Sequence, residues 1–277
     1  MISGFVEKLV SLASKALTPE LVRRVCGWAR VVGNYAVLAG IVFTAIYSII
    51  AAVRYRSPMF FALGLGFALG LVIAHYAAGR FMSSSDKILT GTPGRISSMA
   101  FLECAGLLLI LGAIGLFAGG FYLSIETSSI TPLIAAIIGA PLLVLAAAIA
   151  LNPGSVGVEH GDASAGEEAI GLLSFCLKIW LKLVPPLFCL LAVAGGIVTV
   201  WGFFDSRAGG FDLSVVSAFL PFMKIFLAMP GMEGPGILLY ACLTPVIVHL
   251  CFIFWSLVLD LARAVLVIPD KLDKLKK

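Results

Sequence analysis

Apolar residues form six long runs along the chain, separated by shorter polar stretches. The runs cover residues 31–53, 59–78, 100–123, 132–151, 187–204 and 236–261. A membrane-spanning helix needs about 20 consecutive, mostly apolar residues, and each run is close to that length. The pattern therefore predicts an all-α, polytopic membrane protein with six transmembrane helices.

Shorter helical segments precede the first, third and fifth spans. The first begins at Thr18-Pro19, an N-cap residue followed by proline in the first helical turn. Each segment leads into a span, an outer turn and a returning span. We therefore expect three tandem αα-hairpins with cytoplasmic interfacial helices, covering residues 19–93, 94–164 and 165–277. The alternative is that any six-helix chain divided into thirds shows this order.

Two proline residues are predicted to interrupt the third hairpin. The run 165–184 has the features of an interfacial helix, and Pro185 and Pro186 follow it directly. Proline inside a helix removes one hydrogen bond and clashes with the preceding turn. We expect the interfacial helix to break there, with a kink before the fifth span begins at Leu187.

The N-terminal segment, residues 1–18, has an amphipathic helical pattern. Phe5 and Leu9 share one face, and Glu7 and Lys8 lie on the opposite face. A helix of this kind lies in the membrane surface with its apolar face in the lipid. The alternative is that the same face packs on a partner domain.

A second apolar segment lies in the third outer loop, residues 205–235. Phe219, Phe222 and Phe226 share a helical face there, but prolines interrupt the segment too often for a seventh span. It is predicted to be re-entrant or to lie on the surface. The three phenylalanines, with Phe5 and Leu9, are the candidate contacts to a protein partner or to lipid.

Composition supports the membrane assignment. Of the 277 residues, 61% are hydrophobic and 12% are charged. Soluble domains carry about 25% charged residues, and disordered chains are still more polar. Both classes are therefore excluded.

The basic residues predict the orientation. Fifteen of the 19 lysines and arginines fall on the side that holds both termini, including a basic C-terminal tail, and four fall on the other side. Because cytoplasmic loops carry the excess of positive charge, both termini are predicted to be cytoplasmic, in a bacterial inner membrane. The clustered cations are interpreted as topology signals and contacts to anionic lipids, and nucleic acid is not an expected partner.

The spans offer little catalytic chemistry. None has a charged residue near its centre, and no nucleotide-binding, zinc-protease or hydrolase motif occurs. His75 and His249 are weak ligand candidates, but their predicted depths differ by roughly 13 Å, too much for one haem between them. We expect no cofactor, no metal and no enzymatic activity.

Small residues recur at a spacing of four within the spans, a pattern that allows helices to approach closely in lipid. The glycines predicted to pack helices are Gly66, Gly70, Gly115, Gly119 and Gly196.

These features favour a non-catalytic structural or assembly subunit of a larger membrane complex, in contact with membrane lipids and protein partners. The alternative is a component of a small-solute or lipid permease or channel. In a permease, the residues that line the solute path would be the polar or helix-breaking residues within the spans, since discontinuous helices expose backbone groups to a substrate. They are Asn34, Thr44, Pro141, Thr199, Pro245 and His249.

The topology predicts a labelling pattern for single cysteines in a cysteine-free chain on intact cells. Cysteines at Ser129 and Gly209 should react with an impermeant reagent, because both loops are predicted to be external. Cysteines at Ser84 and Lys277 should not. Labelling at Lys277 would contradict an even number of spans.

Overall fold

The computed structural model describes residues 13–54, 56–91, 94–161, 165–204 and 233–275. Its long helices are α1 (Pro19–Arg54), α2 (Pro58–Gly91), α3 (Met99–Glu126), α4 (Thr131–Leu151), α5 (Ala165–Phe204) and α6 (Glu233–Leu275). The remaining regular elements of these residues are strands β1 (Gly94–Ile96) and β2 (Val158–His160) and the 3₁₀ helix Pro153–Val156. In the described part of the chain, six helices are long and apolar enough to span a membrane. The predicted all-α polytopic fold is therefore confirmed.

Several helices are much longer than a bilayer requires. Helices α1, α5 and α6 contain 36, 40 and 43 residues. At a rise of about 1.5 Å per residue, each exceeds the roughly 30 Å hydrocarbon core. The first predicted lead-in segment and its span are one continuous helix, and the predicted cap is present, since the Thr18 hydroxyl accepts the Leu21 N–H at 3.3 Å.

The predicted interruption of the helix at Pro185 and Pro186 is wrong, whereas the predicted kink stays a prediction. Both prolines lie inside α5, which continues to Phe204. Because Pro186 has no N–H, the carbonyl of Lys182 loses its normal helical donor. The Cys26 thiol donates to that carbonyl at a sulfur–oxygen distance of 3.6 Å. A side chain of α1 thus supplies the hydrogen bond that the Lys182 carbonyl lacks within α5.

Contacts divide the chain into two compact units. The first contains the described residues of Met1–Cys26, Ser84–Leu183 and Val248–Lys277, and the second contains Gly27–Ser83 and Val184–Ile247. Helices α1, α2, α5 and α6 contribute residues to both units. The hairpin boundaries expected from the sequence stay a prediction.

In the first unit, α3 and α4 form an antiparallel hairpin that depends on glycine. A Cβ atom on Gly106 would lie 2.8 Å from the Leu151 side chain, and one on Gly139 would lie 2.7 Å from Leu116. A Cβ atom on Gly120 would overlap the Cβ of Ala136. At Gly120 this separation of the two helices requires glycine, because the neighbouring atoms are the Ala136 Cβ and the Pro132 carbonyl oxygen. At Gly106 and Gly139 the neighbour is the end of a leucine side chain. Close backbone approach of this kind holds helices together in lipid.

The short connections of the first unit also pack against its core. Strands β1 and β2 pair in parallel, with Ile96 opposite His160, and the Gly161 N–H extends the pairing to the Ile96 carbonyl. Ile96, Val156 and Val158 are buried in one hydrophobic cluster with residues of all the helices of this unit. The sequence did not predict the strands, since three residues are too few for an alternating pattern.

In the second unit, one leucine packs between glycines of two helices. Leu238 of α6 is fully buried, and its side chain occupies the space that Cβ atoms on Gly40 of α1 and Gly195 of α5 would need. Gly33 meets the Phe188 ring in the same way, at 2.7 Å from a built Cβ atom. Glycine therefore sets the distances between α1, α5 and α6 in this unit.

The hairpin offers a matched pair of neighbouring glycines for a stability test. Gly120→Leu should lower the free energy of unfolding by about 1–3 kcal/mol or more, because the new side chain overlaps Ala136 and the Pro132 carbonyl. Gly119→Leu should cost nothing, since no atom lies within 4 Å of a Cβ atom there. Thermal unfolding of both variants in detergent measures the difference, and equal losses would contradict this helix packing.

Candidate functional site

A buried lysine fixes the connection between α4 and α5. Lys178 is 1% exposed, and its Nζ donates a hydrogen bond to the Gly157 carbonyl at 3.2 Å. Gly157 has a positive φ of 67°, and a Cβ atom there would lie 3.0 Å from the Leu89 carbonyl oxygen, so this turn requires glycine. An ammonium group removed from water needs such a partner. The contact anchors the connection to α5.

A carboxylate from α5 caps α3. Glu168 accepts hydrogen bonds from the Ser97 N–H at 2.7 Å, from the Ser97 hydroxyl and from the Ser98 N–H at 2.9 Å. Ser98 is the N-cap residue of α3, and its own side chain makes no cap hydrogen bond. A negative charge at the positive end of the helix dipole is stabilising. Glu168 therefore holds the start of α3 in place.

The side chain of Asn152 anchors the α4–α5 connection at the end of α4. Its amide nitrogen donates to the Leu17 carbonyl at 2.6 Å and to the Ala148 carbonyl at 2.9 Å. The second bond satisfies a carbonyl in the last turn of α4, and the first ties that turn to the segment before α1. The α4–α5 connection is thus fixed at both ends.

The two weak ligand candidates have different surroundings. His249 of α6 is buried in the first unit, and its Nδ1 lies 2.8 Å from the hydroxyl oxygen of Ser85 of α2. His75 belongs to the second unit, where its ring stacks on Phe188 at a centroid distance of 6.5 Å. Within the described residues, no group of three or more histidine, cysteine or acidic side chains is arranged to hold a metal ion.

Two of the six positions predicted to line a solute path are engaged within their own helices. Thr44 and Thr199 are buried, and their hydroxyls donate to the carbonyls of Gly40 and Gly195, one turn earlier in the same helix. Such bonds satisfy a hydroxyl without a ligand. Asn34 differs, since its buried Oδ1 has no partner among the described residues.

Four of the five glycines predicted to pack helices face open space. Nothing lies within 4 Å of a Cβ atom built on Gly66 or Gly70 of α2, or on Gly115 or Gly119 of α3. Gly196 has one ordinary contact, with the Ala36 carbonyl oxygen at 3.9 Å. No side chain at the four open glycines would meet another described residue, and their predicted role in helix packing stays a prediction.

An apolar groove of about 680 Å³ runs along the first unit. It lies between the start of α1 and the α3–α4 hairpin, and Pro141 is one of its walls. The residues that line it are Leu17, Leu21, Val25, Ile110, Ala113, Ile114, Phe117, Ala118, Ile137, Ala140, Pro141, Val144, Leu145 and Ala148. No polar side chain is among them, so the groove suits only an apolar occupant.

The sequence singled out neither Glu168 nor Ser85, because their partners are 70 or more residues away along the chain. Lys178 does carry a signal in the sequence, since it is a cation between apolar residues, but the distribution of basic residues uses it only as one of the fifteen charges that indicate topology. The candidate contacts Phe5, Leu9, Phe219, Phe222 and Phe226 lie outside the described residues.

No protein-family model matches the chain, and no curated protein or solved structure is similar to it. The chemistry and packing of these residues are therefore the basis of the proposed function.

Proposed function

We propose that the chain is a non-catalytic structural and assembly subunit of a larger membrane complex. The main support for this proposal is that two helix faces carry glycines that no described residue contacts. They are Gly66 and Gly70 on α2, and Gly115 and Gly119 on α3. We place the chain in a bacterial inner membrane with both termini in the cytoplasm, on the strength of its basic-residue distribution.

Glycine lowers the stability of a helix, and on a face that meets only lipid nothing offsets this loss. Each one costs a helix interior about 1 kcal/mol relative to alanine, and it offers lipid no side chain to pack. Two glycines one turn apart instead form a shallow notch in which a second helix can approach the backbone. Large apolar residues flank the notch on α2, where Leu69 and Ile73 are exposed. A partner helix would bury both.

The polar groups described for the first unit support a structural role. Lys178 and Glu168 bond to the main chain of the α4–α5 connection and of the α3 start, and His249 bonds to Ser85. Catalytic groups are instead found in clefts where a substrate reaches them. These side chains stabilise the fold.

Filling the α2 notch tests the proposal. The double variant Gly66→Leu, Gly70→Leu should fold normally, because no described residue lies within 4 Å of a Cβ atom at either site. It should lower recovery of co-purifying subunits in mild detergent roughly tenfold, which corresponds to about 1.4 kcal/mol, because the two leucines fill the notch into which a partner helix would pack. Recovery is measured by affinity purification and mass spectrometry.

Gly79→Leu is the matched control. Gly79 is also an open glycine of α2, but it lies on nearly the opposite side of the helix from Gly66 and Gly70. Recovery should stay at the wild-type level in this variant. Unchanged recovery with both notches filled, on α2 and on α3, would sink the assembly proposal.

A second candidate, a lipid permease or channel component, is favoured by the apolar groove of the first unit. Its length along α4, from Ile137 to Ala148, is about 16 Å at 1.5 Å per residue, which suits an acyl chain. Its apolar lining offers nothing to a polar solute. Within the permease hypothesis, a lipid substrate is therefore preferred.

Blocking the groove separates the two candidates. If lipid moves along it, Val144→Trp should abolish lipid translocation in proteoliposomes that contain only this chain, because Val144 lines the groove. Ile134→Trp, on the same helix but outside the groove lining, should have no effect. The assembly proposal predicts no translocation by the wild-type chain beyond that of protein-free vesicles.

A further inference from the structure

A small polar pocket of about 210 Å³ lies in the first unit, separate from the apolar groove. It is formed where the first turns of α1 meet the 3₁₀ helix and α5. Its lining residues are Pro19, Glu20, Val22, Arg23, Ser155 and Lys182. Three different parts of the chain thus contribute polar groups to one space.

Positive charge exceeds negative charge around this pocket. The Glu20 carboxylate pairs with Arg23 at 2.6 Å and with Arg24 at 3.2 Å, so one anion is shared by two guanidinium groups. Lys182 is half-buried and has no ion-pair partner among the described residues. An ammonium group partly removed from water favours an anion beside it.

Ser155 adds a hydroxyl without a partner. Its Oγ is inaccessible to water, and no hydrogen-bonding group of the described residues reaches it. Buried polar atoms are nearly always bonded, so an exception calls for a missing water, ion or ligand. A rotation about the single Cα–Cβ bond redirects this hydroxyl, and the residue lines the pocket.

The dipole of α1 adds to the positive potential of the pocket. Pro19 and Glu20 form the first turn of α1, where the positive end of the helix dipole lies. A site of 210 Å³ is larger than the roughly 30 Å³ that one water occupies in the liquid, and it accommodates a tetrahedral anion.

We propose that this pocket binds a phosphate group, with Arg23 and Lys182 as the cationic contacts and Ser155 as a hydroxyl donor. Arginine has five N–H donors, so the pairing of Arg23 with Glu20 leaves donors for a phosphate oxygen. The source of the phosphate is either the headgroup of an anionic phospholipid or a small soluble phosphate compound. The site is independent of the assembly role and of the apolar groove.

Two binding assays on the full chain distinguish the sources. In the first, native mass spectrometry counts phosphatidylglycerol molecules bound to the purified protein, with phosphatidylcholine as the uncharged competitor. In the second, calorimetry measures inorganic phosphate binding to the protein in phosphatidylcholine nanodiscs. Binding in the first assay alone identifies a lipid headgroup, and binding in the second identifies a soluble phosphate.

Lys182→Gln and Ser155→Ala should each weaken binding roughly tenfold, the effect expected for losing a hydrogen bond to a charged group. Arg24→Gln is the matched control: Arg24 also pairs with Glu20, yet it does not line the pocket. Ser155→Ala should keep the wild-type unfolding temperature, because its hydroxyl has no protein partner to lose. Failure of both probes to bind would overturn the proposal, as would binding that Lys182→Gln and Arg24→Gln reduce equally.

Discussion

The hydrocarbon core of a membrane supplies no hydrogen-bond partners, and most local features of this chain follow from that constraint. The hydroxyls of Thr44, Thr199 and Thr244 return to the carbonyl one turn back in their own helices. Where Pro186 removes a donor from α5, the Cys26 thiol bonds to the freed Lys182 carbonyl. Helix α5 continues through both prolines.

The same solvent removes the hydrophobic effect between helices, so packing depends on how closely the backbones approach. Leu238 packs where Gly40 and Gly195 have no side chains, and Gly120 lies against Ala136. Other glycines with the same spacing, such as Gly66 and Gly70, meet none of the described residues. Some glycines of this chain thus pack against another helix, whereas others lie on open helix faces. The assembly proposal rests on the glycines of the open faces.

The α4–α5 connection is more tightly fixed than its polar, glycine-containing sequence suggests. Lys178 holds the Gly157 carbonyl, Asn152 holds the segment before α1, and Glu168 holds the start of α3. Ser155 lies within this anchored stretch, so its backbone is held in place at the proposed phosphate pocket. A rigid site loses less conformational entropy when its ligand binds.

The sequence alone determined the class of fold, the number of long apolar helices and the start of α1 at Thr18-Pro19, because each depends on local composition and local hydrogen bonding. It failed at Pro185 and Pro186, since the thiol that satisfies the freed carbonyl is 156 residues away. It also did not separate the packed Gly40 from the open Gly66. Periodicity within a segment determines whether that segment can be a helix in lipid. Which of its faces meets another helix depends on contacts between segments far apart in the chain, and only the tertiary structure decided those.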